Sequence, residues 1–244
     1  MENGVEREPR VRTFVMGANR WRDSDWWPLR ETKSTPLYLA APQQGSRMGN
    51  LAWKKPQVSG AQNSSFVSDP SNPVTDPFPA YSGGHDYAFL AQRKDVLAFE
   101  TAPLEIDFEI VGSIEAVMFL SCDAPDTDLW VKLLDVEPGG KAINLMSPGL
   151  DVLRASYREP AYRKLLEPGK VYELRLKNLM TGNVFKKGHR IRVQISASFF
   201  PHFSRNLHTG KLETSESAEM RTATIRIHHD KKNPSRIVLP VIPR

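Results

Sequence analysis

The nearest approach to a hydrolytic nucleophile in this chain is Ala80-Tyr81-Ser82-Gly83-Gly84, which sets Ser82 and Gly84 at the G-x-S-x-G spacing but has alanine at the first glycine. A nucleophile elbow works because a buried strand feeds the serine into a sharp turn and the following helix aims its N–H groups at the oxyanion. Here Asp76-Pro77-Phe78-Pro79 precedes Ser82 and no helical periodicity follows, so the segment is read as a turn and no catalytic residue is assigned. The histidines (His85, His189, His202, His208, His228 and His229) show no H-x-x-x-H pair, and adjacent His228 and His229 would face opposite sides of a strand. Asp123, Asp126 and Asp128 lack the glycine and distal glutamate of a calcium loop and are read as loop caps. Pro138-Gly139-Gly140-Lys141 lacks phosphate-loop spacing and is read as a hairpin. Cys122 is the only cysteine, which excludes an internal disulfide and a thiolate zinc site. Neither a metal nor a cofactor is expected.

Strands must position whatever chemistry there is. In residues 190–196, Ile191, Val193 and Ile195 share one face while Arg190, Arg192 and Gln194 share the other, and Tyr172, Leu174 and Leu176 alternate in the same way with Glu173, Arg175 and Lys177. Comparable runs are expected at 11–16, 35–39 and near Phe66, then at 96–100, 104–111, 114–121, 129–136, 141–145, 152–156, 171–176, 190–198, 222–227 and 237–241, with a turn at Gly112 and one short helix near 160–166. Each strand is expected to have one dry face. The predicted fold is all-β: a two-sheet antiparallel β-sandwich of jelly-roll type with long irregular N-terminal loops. Residues 1–10 read as a polar lead-in or linker and 11–244 as the jelly-roll domain.

The 244 residues are 40% hydrophobic and 25% charged, which suits a folded domain with a real core. The net charge of +5 sits largely in the last 44 residues, which hold eight bases and four acids. No aromatic-interleaved motif accompanies those bases, so no nucleic-acid partner is expected. No window reaches the length of a membrane span and residues 1–10 lack an apolar core, so neither a membrane segment nor a signal peptide is expected and the chain is read as soluble.

The first ninety residues concentrate the aromatics. Trp21, Trp26, Trp27 and Trp53 are expected to favour packing, with Trp26 and Trp27 the candidates for a domain contact. The loop 78–87, with Phe78, Tyr81, His85 and Tyr87, reads equally as core or as a pocket wall, since Pro77 and Pro79 stiffen its approach and Gly83-Gly84 permits a sharp reversal.

Several short motifs recur in one order: Phe14-Val15-Met16-Gly17-Ala18-Asn19, Trp21-Arg22, Trp27-Pro28, Asp69-Pro70, Asn72-Pro73-Val74, Gly83-Gly84 and Asp95-Val96-Leu97. Ala124-Pro125-Asp126-Thr127-Asp128, Lys132-Leu133-Leu134-Asp135-Val136, Gly188-His189-Arg190-Ile191-Arg192, Phe200-Pro201, Arg205-Asn206 and the closing Pro234-Ser235-Arg236-Ile237-Val238-Leu239-Pro240 continue the series. Together they resemble the C-terminal domain of the cocaine esterase, α-amino-acid ester hydrolase and X-Pro dipeptidyl-peptidase family of serine hydrolases. The resemblance implies a jelly roll that follows an α/β-hydrolase domain holding the Ser, Asp and His of the triad. It further implies an accessory role, supporting that partner domain and part of its substrate pocket, with no turnover by this chain alone. A chain starting where the hydrolase domain should end is expected to be a fragment, and residues 75–81 lengthen the loop before the glycine pair relative to the family pattern. An independent carbohydrate- or ligand-binding jelly-roll module is the alternative, its aromatics then serving as a stacking platform.

Overall fold

The computed structural model describes residues 4–78, 83–145, 150–159, 161–211, 213 and 219–243. Its strands are β1 (Val11–Val15), β2 (Arg20–Ser24), β3 (Lys33–Ala40), β4 (Gly49–Ala52), β5 (Asn63–Ser68), β6 (Leu97–Glu100) and β7 (Phe108–Cys122). They continue with β8 (Asp128–Val136), β9 (Ala142–Asn144), β10 (Leu150–Arg154), β11 (Tyr172–Phe185), β12 (Arg190–Ser196), β13 (Ala223–His228) and β14 (Arg236–Val241). β1 and β2 form a separate hairpin. The rest form one ladder, β10-β8-β12-β6-β4-β3-β14-β7-β13-β5, with β11 on the free side of β7 and β9 beside β8. The pairings are antiparallel except β4 with β6, where Gly49 lies beside Phe99.

This ladder folds into two layers because apolar side chains at every second position have only each other to leave water against. Leu37, Leu39, Ile114, Met118, Ile225, Ile227, Ile237 and Leu239 come from one layer, and Leu129, Val131, Leu133, Ile191, Val193 and Ile195 from the other; all belong to one buried cluster. The result is the expected sandwich, and 11–16, 35–39, 129–136, 190–198, 222–227 and 237–241 are found as strands within two residues at each end.

Several expectations are corrected. The turn at Gly112 does not exist: 108–111 and 114–121 belong to the single strand β7, with Gly112 at φ 137° opposite Thr181, while 104–107 lie outside any strand. Glycine is required there because a Cβ would meet the Pro240 Cβ at 3.1 Å, where the β7–β14 register shifts. β11 runs on to Phe185, past a bulge between Leu176 and Leu179 that breaks the alternation. No helix occupies the described part of 160–166; the nearest is a 3₁₀ turn at Ala155–Tyr157, where β10 has ended. β2 and β4 are additional strands.

The expectation of one wet face per strand fails for β8 and β12, both buried almost throughout. The even residues Trp130, Leu134 and Val136 belong to a second buried cluster with Val74, Tyr87, Leu90, Val96 and Phe199. Loop segments before β6 and after β12 therefore roof the outer face of that layer. Under this roof lies a polar cluster built on Asp76, Tyr87, His202 and Gln194.

Candidate functional site

Pleating sends Lys132 of β8 outward with Trp130 and Leu134, into the roofed layer, and register places Gln194 of β12 beside it. The Lys132 side chain is fully buried, its Nζ 3.5 Å from the Tyr87 ring centroid and 4.5 Å from that of Phe199. Burial pulls the Lys132 ammonium down to about 7, against an upward pull from the Asp76 carboxylate. The Tyr87 phenol is held above its ordinary range by burial first, then by the charge and hydrogen bond of Asp76.

Asp76 joins the segments of the roof. Its carboxylate accepts from the Phe78 N–H at 3.1 Å, from the Tyr87 hydroxyl at 3.1 and 3.2 Å, and from His202 Nε2 at 2.7 Å. Backbone bonds fix it from below: Phe200 N–H donates to the Val74 carbonyl at 2.8 Å and Asp76 N–H to the Phe200 carbonyl at 2.9 Å. The Tyr87 carbonyl accepts from Gln194 Nε2 at 3.1 Å, and Trp130 Nε1 donates to the Ser198 carbonyl at 2.6 Å. β9 secures the far end of the loop, where Asn144 Oδ1 accepts the His85 N–H at 2.7 Å and Asp86 Oδ1 accepts the N–H groups of Ala142 and Ala88 at 2.9 Å.

Between these anchors Phe78 stacks on His85, with ring centroids 4.2 Å apart and planes 10° from parallel, and meets Tyr87 edge-on at 5.2 Å. His85 Nε2 is buried and has no hydrogen-bond partner among the described residues. Beyond Gly83 and Gly84 opens a cavity of about 490 Å³ floored by Met16, Ile143, Leu145 and Val184. His189 and Asp135, paired at 2.8 Å, stand on its wall, and burial raises the Asp135 carboxyl against the opposing hydrogen bond from His189.

The sequence reading missed three serine–histidine contacts that distant strands bring together: Ser64 with His229 at 3.1 Å, Ser121 with His228 at 2.9 Å, and Ser68 with His208 at 3.0 Å. The three rings are buried, and desolvation lowers each imidazole. His208 Nδ1 faces a backbone carbonyl, that of Asp126, in place of an orienting carboxylate. Such pairs satisfy the hydrogen-bonding needs of desolvated imidazoles, with His228 and Ser64 each also lining a cavity. Asp126 and Asp123 cap loops as expected, Asp126 accepting from Thr127 and Ser156 and Asp123 from Thr224, whereas Asp128 pairs with Arg154.

The chain from residue 3 to 238 matches the family described as the X-Pro dipeptidyl-peptidase C-terminal non-catalytic domain. The chain belongs to this family. Cocaine esterase from Rhodococcus sp. (strain MB1 Bresler) is 38% identical over 245 residues, covering 97% of this chain and 42% of the esterase. A putative serine esterase of Mycobacterium bovis is 29% identical across 99% of this chain and 38% of its own length. Among solved structures, an aminopeptidase from a marine-sediment Thaumarchaeota archaeon superposes with TM-score 0.85 at 30% identity, over 96% of this chain and 41% of its own. An α-amino-acid ester hydrolase superposes with TM-score 0.84 at 29% identity, over 96% and 41%. The chain thus spans about two-fifths of the length of these relatives.

Within this X-Pro dipeptidyl-peptidase C-terminal domain, Phe78 and His85 stand together on one loop, partly buried, while Tyr87 at 2% exposure is a core residue with only its hydroxyl in the polar cluster. Tyr81 lies outside the described residues. Trp26 and Trp27, expected to favour packing, are 50% and 40% exposed and belong to none of the buried clusters. Trp21 and Trp53 are exposed too, each resting on one other ring: Trp21 edge-on to Phe14 at 5.4 Å and Trp53 tilted against Phe108 at 5.2 Å. Among the described residues no helix is long and apolar enough to cross a membrane.

Proposed function

We propose that this domain is the accessory part of a serine ester or amide hydrolase, buttressing an α/β-hydrolase domain and lending the loop 78–87 to one wall of that domain's acyl pocket. The Phe78–His85 stack carries this reading. Two rings are held parallel on a loop secured at both ends, and the buried His85 Nε2 is left without a partner among the described residues. A surface completed by another domain and its substrate would look like this, since an orphan buried nitrogen is costly unless something supplies its hydrogen bond. The exposed Trp26 and Trp27 give the same partner an aromatic contact. Their availability to a sugar is poorer at Trp26, whose face is already covered by the Arg30 guanidinium at 3.8 Å. In the polypeptide or complex that holds both domains, Phe78→Ala is expected to raise KM or shift acyl preference while the melting temperature stays nearly constant. A lowered melting temperature with unchanged kinetics would remove the pocket-wall role.

A further inference from the structure

We propose that Asp76 is a positioning residue: with Tyr87 and His202 it forms a buried clasp that fixes the angle of the Phe78 ring, so that acyl preference is set from beneath the pocket wall. The effect on acyl preference rests on the pocket-wall reading above; the clasp itself rests on geometry. An ordinary loop aspartate accepts an N–H two residues on and leaves its second oxygen in water. Asp76 has a side chain only 2% exposed, and its oxygens bind three separate segments: the Phe78 N–H, the Tyr87 hydroxyl and His202 Nε2. Pro77, between Asp76 and Phe78, has its own φ fixed by its ring. Capturing the Phe78 N–H therefore removes the remaining freedom with which the chain enters Phe78. Tyr87 is both a ligand of the clasp and the edge-on neighbour of the Phe78 ring, so one side chain transmits the carboxylate's position to the wall. Lys132 Nζ, 3.5 Å from the Tyr87 ring centroid and 4.5 Å from that of Phe199, is a further contact on the tyrosine of the clasp.

The test reads the stack directly. In the 244-residue chain, the Phe78 ring should impose an upfield ring-current shift on the His85 ring protons, measurable by NMR. Asp76→Ala is expected to abolish most of that shift while the methyl spectrum of the main core persists; Asp76→Asn, which keeps an oxygen for the Phe78 N–H, should restore much of it. Tyr87→Phe, which removes only the hydroxyl, should weaken the shift and serves if Asp76→Ala does not fold. With the catalytic domain present, Asp76→Ala should raise KM for bulky acyl substrates about fivefold with kcat within about twofold, as loss of ground-state positioning does. An unaltered His85 shift in both Asp76→Ala and Tyr87→Phe overturns the clasp, whatever Phe78→Ala does to kinetics. A lost shift with unchanged kinetics, when Phe78→Ala is equally silent, overturns the pocket-wall reading and the control of acyl preference, and leaves the clasp as the anchor of the loop.

Discussion

A single buried lysine makes the roofed layer sensitive to pH. Unfolded, Lys132 titrates near ~10.4; folded, burial brings it to about 7. Between these values the unfolded chain holds more protons than the folded one, so this group's contribution to folding stability rises as pH climbs from about 7 to ~10.4. Below that window the full cost of the buried ammonium is present, and above it the cost is gone. Relative to Lys132→Met, which has no proton to exchange, the parent should gain at most ~1.4 kcal/mol per pH unit across the window. Urea denaturation of both proteins at pH values from about 6 to about 9 checks this. A stability gap independent of pH would mean that Lys132 titrates normally. The sequence held a hint of this residue, since Leu129, Trp130, Val131, Leu133 and Leu134 are apolar on both strand faces around one lysine. It held none for Asp76 and His202, which loops 126 residues apart bring together.

Strand β8 separates the two kinds of tryptophan in this fold. Trp130 is fully buried under the roof, and Trp130→Ala should cost about 3–5 kcal/mol. Trp26→Ala and Trp27→Ala should each stay within about 1 kcal/mol of the parent, because exposed rings lose little apart from the Arg30 contact of Trp26. The urea midpoints of the three variants decide, and a large loss at Trp27 would place it in the core after all. Elements were legible where alternation is undisturbed, as in β12 and β13, and illegible where a local device interrupts it. Gly112 imitates a turn inside β7, the bulge after Leu176 conceals half of β11, and the polar β2 has β1 as its one strand partner and so shows no buried face. One-sided burial was misjudged for β8 and β12 because the roof is supplied by loops, and sequence period cannot say what loops cover.

Taken whole, the chain has a large core and several serine–histidine contacts whose imidazoles are buried. We expect the isolated protein to hydrolyse p-nitrophenyl acetate no faster than a buffer blank, since no serine–histidine pair among the described residues is hydrogen-bonded to an orienting carboxylate. Turnover that disappears in Ser82→Ala would contradict the accessory reading. The family and sandwich could be recognised from ordered motifs spread through the chain, because such motifs mark strand ends and turns that the fold needs. The ladder's connectivity carries a different consequence, one of timing. β3 hydrogen-bonds to β14, pairing Leu37 with Ile237 across about two hundred residues of chain, and β7 takes partners from β11, β13 and β14. During synthesis, then, the β3 edge that will meet β14 stays bare while about two hundred further residues are added, and the sheet cannot close there until β14 has emerged.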